Sequence, residues 1–262
     1  MVSVDLLHLS IASLAAISVM LLIAGATKGL IGIGMPIVAL PLLNLVVDLP
    51  VAVAILSIPL IISNIPQALN GDKAGVVLNR LMPLFGGLIV GTVIGVCLLT
   101  TVRVDILKPI VGVILIGVVG LMFFAPQLAV AQDHEKYLGP IVGLFGGILG
   151  GLAALPGPFV FVYILALGFS KDRFVQYSSM FLVVAAALMA VTLRGFGALG
   201  WADLIGSTLA VIPILVGMKL GAGLRVYLSP PLFRKIILAV VMLSGIHMIS
   251  GPVAAAVATV VH

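Results

Sequence analysis

From about residue 6 to residue 250 the chain is a succession of apolar runs, separated by polar connectors too short to fold as a soluble domain. About ten runs can be delimited, near 6–27, 33–47, 50–69, 79–100, 106–124, 138–154, 158–169, 174–193, 202–224 and 234–250. A helix needs roughly 20 apolar residues to cross the hydrocarbon layer, so most runs are long enough and the second and seventh are not. Charged residues make up only 8% of the chain, and mean hydropathy is +1.40. An ordinary soluble domain carries roughly 25% charged residues. So few charges cannot cover a water-facing surface, and lipid is the solvent that fits. The expected fold is an all-α polytopic membrane protein, with roughly eight to ten transmembrane segments.

The net charge of +5 then reports topology. Without a basic run interleaved with aromatics, nucleic acid is not an expected partner. Cys97 is the only cysteine, which excludes an internal disulfide. The first run begins near Leu6 without a basic leader and reads as a retained helix. Lys73, Arg80, Lys136, Lys171, Arg173, Arg225, Arg234 and Lys235 fall in connectors on one side, against Arg103, Lys108 and Arg194 on the other. The positive-inside rule places the first group in the cytoplasm and both termini outside, in a multi-pass cell-membrane protein.

The two halves resemble one another. Gly25, Gly29, Leu30 and Pro36 fall opposite Gly147, Gly151, Leu152 and Pro158 at one constant separation, as does Ser57 opposite Ser179. Pro83, Gly87 and Gly91 match Pro213, Gly217 and Gly221, and Leu107-Lys108 matches Phe233-Arg234. The expected organisation is one membrane domain over 1–262, with a first structural repeat at 6–124 and a second at 138–250. An odd number of segments, about five per half, turns one half upside down relative to the other, as in many secondary transporters.

Each half carries a glycine- and proline-rich break, near Gly29–Pro36 and Gly150–Pro158, where a broken or re-entrant helix is expected. Unsatisfied N–H groups at the start of a new helix suit an anion, and at membrane depth they need a partner. Gly32, Gly34 and Pro36 in one break, and Pro156, Gly157 and Pro158 in the other, are therefore candidate substrate-binding residues. Lys28 precedes the first break and is either a functional intramembrane cation or a snorkelling side chain. The second half has Gly150 at that place. Ser57, Ser63, Asn64 and Gln67 on the third run, and Gln176, Tyr177, Ser178 and Ser179 on the eighth, could complete an oxyanion site or simply join helices. Ser57, Asn64, Gln176 and Ser179 are taken as candidates. Two small-residue stripes, Gly87-Gly91-Gly95 and Gly143-Gly147-Gly151, fit close helix packing better than a dimer contact.

No enzyme signature is present. His8, His134, His247 and His262 have no metal-ligand spacing, and there is no nucleophile elbow or Walker loop. No catalytic residue, metal or cofactor is expected.

The stretch Gly25-Ala26-Thr27-Lys28-Gly29-Leu30-Ile31-Gly32-Ile33-Gly34-Met35-Pro36, then Pro41-Leu42-Leu43, with a second copy from Gly147 to Phe159, resembles the sulfite exporter TauE/SafE family of membrane permeases. The family pattern is a glycine-rich stretch followed by Pro-Leu in each half. Here Met35 and Pro36 stand where glycines are usual, and the second copy reads Leu155-Pro156-Gly157-Pro158. The resemblance covers nearly the whole chain and implies an exporter or permease for sulfite, sulfoacetate or related organosulfur and organic acids. The expectation is secondary-active anion transport by alternating access, with H+ or Na+ as candidate coupling ion and a homodimer by analogy. A passive anion channel is the first alternative and an intramembrane enzyme the second.

Overall fold

The computed structural model describes residues 10–32, 34–124, 135–224, and positions 242, 246, 249 and 250. All four histidines, the connector from 225 to 235 and most of the tenth apolar run lie outside the described residues, as does the Phe233-Arg234 match.

The described residues form ten helical segments in chain order: α1 (Ile11–Ile31), α2 (Met35–Leu43), α3 (Leu49–Ala68), α4 (Ala74–Thr101), α5 (Val104–Phe124), α6 (Glu135–Ala153), α7 (Gly157–Ala166), α8 (Lys171–Gly195), α9 (Trp201–Leu209) and α10 (Val211–Leu224). Each apolar run up to residue 224 became helix. The ninth split in two at Ala210, three residues before Pro213, whose missing N–H leaves the Leu209 carbonyl without its usual helical donor. Ile11–Leu30, Leu49–Ala68, Ala74–Thr101, Asp172–Gly195 and Trp201–Leu224 are long and apolar enough to cross a membrane. Helix α2 has nine residues and α7 ten. At 1.5 Å per residue each reaches about 15 Å, half of a hydrocarbon layer about 30 Å thick. Every residue of α2 except Leu42 is buried.

Glycine dictates which helices meet. A Cβ on Gly87, Gly91 or Gly95 of α4 would overlap the carbonyl oxygen of Pro140, Leu144 or Ile148 of α6. The stripe Gly143-Gly147-Gly151 lies against α4 in return. The two stripes thus pack on each other inside one chain. Numbers rise together along the pair, so α4 and α6 run parallel. Helices α1 and α10 repeat the arrangement: Gly25 meets Ile214, Gly29 meets Met218, Gly217 meets Leu22 and Gly221 meets Ala26.

These contacts correct one feature of the sequence register. Gly147 meets Leu88 as Gly25 meets Ile214, and Gly151 meets Thr92 as Gly29 meets Met218. Likewise Gly91 stands to Leu144 as Gly217 stands to Leu22, and Gly95 to Ile148 as Gly221 to Ala26. Pro213, Gly217 and Gly221 therefore correspond to Gly87, Gly91 and Gly95, one turn later than Pro83, Gly87 and Gly91. All four pairs of contacts agree on that register.

Helices α3 and α8 form the third pair and run antiparallel, since Gln67 meets Ser179 while Asp72, further along, meets Gln176. Ion pairs sit at helix ends: Arg80 Nη2 to Glu135 Oε1 at 2.7 Å, Arg173 Nε to Asp72 Oδ2 at 3.2 Å, and Lys108 Nζ to Asp48 Oδ1 at 2.8 Å.

Candidate functional site

The first break is narrower than the glycine pattern predicts. Gly29 lies inside α1, and Gly32 ends that helix in the left-handed region at φ 92°, donating its N–H to the Lys28 carbonyl at 2.7 Å. Gly34 takes φ 95° and α2 then starts, with Pro36 in its first turn. No side chain caps this start. Gly150 likewise lies within α6, and the second break reduces to Ala154, Leu155 and Pro156. There α6 closes on Ala154 at φ 54°, with Ala154 N–H bonded to Gly150 and Leu155 N–H to Leu149.

The two breaks differ in what fills them. A Cβ on Gly34 would meet none of the described residues within 4 Å, and of those residues one on Gly32 would meet only Gln67 Nε2, at 3.9 Å. In the second half, Pro156 occupies the place of Gly34. A Cβ on Gly150 would stand 3.0 Å from the Pro156 ring, and one on Gly157 would press into the ring of Phe161. Pro156, Gly157 and Pro158 are all buried. The first break has room beside it, whereas the second is packed by its own side chains.

Lys28 sits one turn before the open break and is 2% exposed. Its ammonium donates to Ser63 Oγ at 3.3 Å and to Asn64 Oδ1. Both acceptors are neutral, and among the described residues no carboxylate lies within ion-pair distance of it. Ser63 also reaches Met35 Sδ, 3.9 Å away at the first residue of α2, so the cation and the helix start share one neighbourhood. Asn64 is oriented by a bond from Nδ2 to the Leu60 carbonyl at 2.7 Å. At the constant separation of the repeat, Lys28, Ser63 and Asn64 are replaced by Gly150, Ala185 and Ala186. The whole polar cluster belongs to one half, and the second half has neither the cation nor its acceptors.

The remaining candidates have other partners. Ser57 and Ser179 are not brought together. Ser57 Oγ bonds the Ala54 carbonyl at 2.8 Å and shares a 3.2 Å contact with Ser207 Oγ of α9. Ser179 Oγ donates to Gln67 Oε1 at 3.2 Å. Gln176 clamps the end of α3: Nε2 donates to the Ala68 and Asp72 carbonyls, and Oε1 accepts from Asp72 N–H at 2.9 Å. Its amide is fully occupied by backbone.

Ser207 was not legible as a site residue. Pro59 has no N–H, which leaves the Ile55 carbonyl open. Ser207 Oγ donates to that carbonyl at 2.9 Å and accepts from Ile58 N–H at 3.0 Å, closing the gap in α3 from another helix. A proline in α3 signals that a repair is needed, but only the packing reveals which residue provides it. Among the described residues no group of acids, histidines or cysteines could hold a metal ion.

A family model described as sulfite exporter TauE/SafE matches residues 17–248. No curated protein and no solved structure matches the chain.

Proposed function

The chain belongs to the sulfite exporter TauE/SafE family, so it is a multi-pass membrane transporter of the sulfite-exporter type, and from that premise we propose that it carries its anion at the first break, between Lys28 and the start of α2. One observation carries this reading: Lys28 is buried, and its partners among the described residues are neutral. A cation taken out of water is costly unless a counter-charge meets it, and at membrane depth such a residue is usually functional. A small oxyanion in the open space beside Gly34 supplies that charge. The uncapped N–H groups of α2 add donors and the positive end of the helix dipole. Gly32 and Gly34 provide the room and Pro36 starts the helix. Asn64 positions the ammonium.

The binding site is thus one-sided, with Pro156, Gly157 and Pro158 acting as a packed counterpart. Ser57, Gln176 and Ser179 serve the framework around it. The cargo class is sulfite, sulfoacetate or a related acid. We further infer an inverted repeat, because α3 and its counterpart α8 run antiparallel while α1–α10 and α4–α6 share one contact pattern. Alternating access, with one half rocking against the other, follows from that architecture. The uneven distribution of Lys and Arg supports an orientation with the starts of α4, α6 and α8 in the cytoplasm.

Purified protein in liposomes tests the function. Labelled sulfite and sulfoacetate should enter saturably, and imposed pH and sodium gradients identify the coupling ion. Lys28→Met should abolish uptake while leaving the protein folded. Uptake that does not saturate would favour a channel. Absence of flux under every gradient would overturn transport of these anions, and full activity in Lys28→Met would move the site elsewhere.

A further inference from the structure

Gln67 stands one turn beyond Asn64 on α3, as Gly32 stands one turn beyond Lys28 on α1. The polar face of α3 therefore follows α1 into the break. Its two amide atoms have different surroundings. Oε1 accepts from Ser179 Oγ at 3.2 Å. Nε2 lies toward Gly32, 3.9 Å from where a Cβ there would stand, and donates to none of the described residues. An amide with its oxygen engaged can only present N–H groups on its other side. At the separation of the repeat Gln67 is replaced by Met189, so this amide belongs to the same half-specific cluster as Lys28.

We infer that Gln67 is a second ligand of the anion, and that Ser179 holds its amide with the donor side facing the break. This rests on the reading of the first break as the anion site. The amide adds a directed donor beside the Lys28 charge, which favours an oxyanion over a spherical halide. It also ties occupancy of the first-half break to α8, in the second half of the chain. Ser179 is a positioning residue in this arrangement, acting through Gln67 without touching the anion.

Transport in proteoliposomes tests this, using whichever of sulfite and sulfoacetate the wild type carries. Gln67→Met keeps the side chain's length and removes the donor. It should raise the half-saturating concentration about tenfold or more, the scale of one hydrogen bond to a charged group. Gln67→Glu keeps an oxygen for Ser179 but puts a carboxylate where the anion binds, and should raise it further. Ser179→Ala should raise it less, with maximal rate unchanged, and should add nothing in the Gln67→Met background, because both changes act on one interaction. Size-exclusion profiles confirm that each variant is folded. If Gln67→Met binds the anion as the wild type does while Lys28→Met is inactive, Gln67 is only interhelical glue and the inference fails, though the site stands. Additive effects of Ser179→Ala and Gln67→Met would likewise sink the positioning role. If the wild type carries neither anion, the proposed function fails first.

Discussion

At the residue scale, the first half keeps a cation where the second has no side chain, and a glycine where the second has a proline. Lys28 corresponds to Gly150 and Gly34 to Pro156. In the second half the proline ring packs on the glycine. In the first half the space stays open beside the cation. Among the described residues Lys28 has no counter-ion, and removing such a buried charge tends to stabilise a fold. Lys28→Met should therefore melt no lower than wild type, which a thermal melt in detergent can check, even as transport disappears. Gly34→Ala puts a methyl into the break at a φ of 95°, with a strain of about 1–2 kcal/mol. It should weaken anion binding more than that strain lowers stability, which parallel melts and uptake assays would separate. Ser207→Ala removes the donor to the buried Ile55 carbonyl, whose helical partner is missing at Pro59, and should cost about 1–3 kcal/mol of stability. Lys28 was legible as the only charge between Asp5 and Asp48. Ser207 was not, because its partners are about 150 residues away in the chain.

At the element scale, the helices follow the apolar runs closely, because backbone that cannot reach water must bond to itself. The short second and seventh runs became half-length helices. The extent of each break was harder to read: a glycine can leave a helix or let two helices touch, and Gly29 and Gly150 do the latter. The register of the later repeat slipped for a related reason. Glycines spaced every four residues match themselves when shifted by one turn, so the sequence offers two registers of nearly equal merit. Contact with backbone carbonyls chooses between them. Gly91→Leu should force α4 away from α6 at a cost of about 1–3 kcal/mol or more, seen as a lower melting temperature. The same change at Gly86, where a Cβ would meet none of the described residues within 4 Å, should be tolerated.

At the scale of the whole molecule, pseudo-symmetry and asymmetry divide the work. Glycine contacts of the same kind join α1 to α10 and α4 to α6 and set the framework, while the polar cluster of Lys28, Ser63 and Asn64 is where the proposed function puts the cargo. The sequence revealed both breaks. It did not reveal that only one break is open, because a proline at 156 and a glycine at 34 look alike until their surroundings are seen. In the function proposed here, one anion sits at the first break and the packed second break supports it. The most direct test is an experimental structure with selenite, a strongly scattering oxyanion, bound to the protein. Density should lie within hydrogen-bonding distance of Lys28 Nζ and the first N–H groups of α2, beside Gly34. Selenite seated at Pro156 and Phe161, or density absent from the first break in protein shown to transport the anion, would contradict the one-sided site.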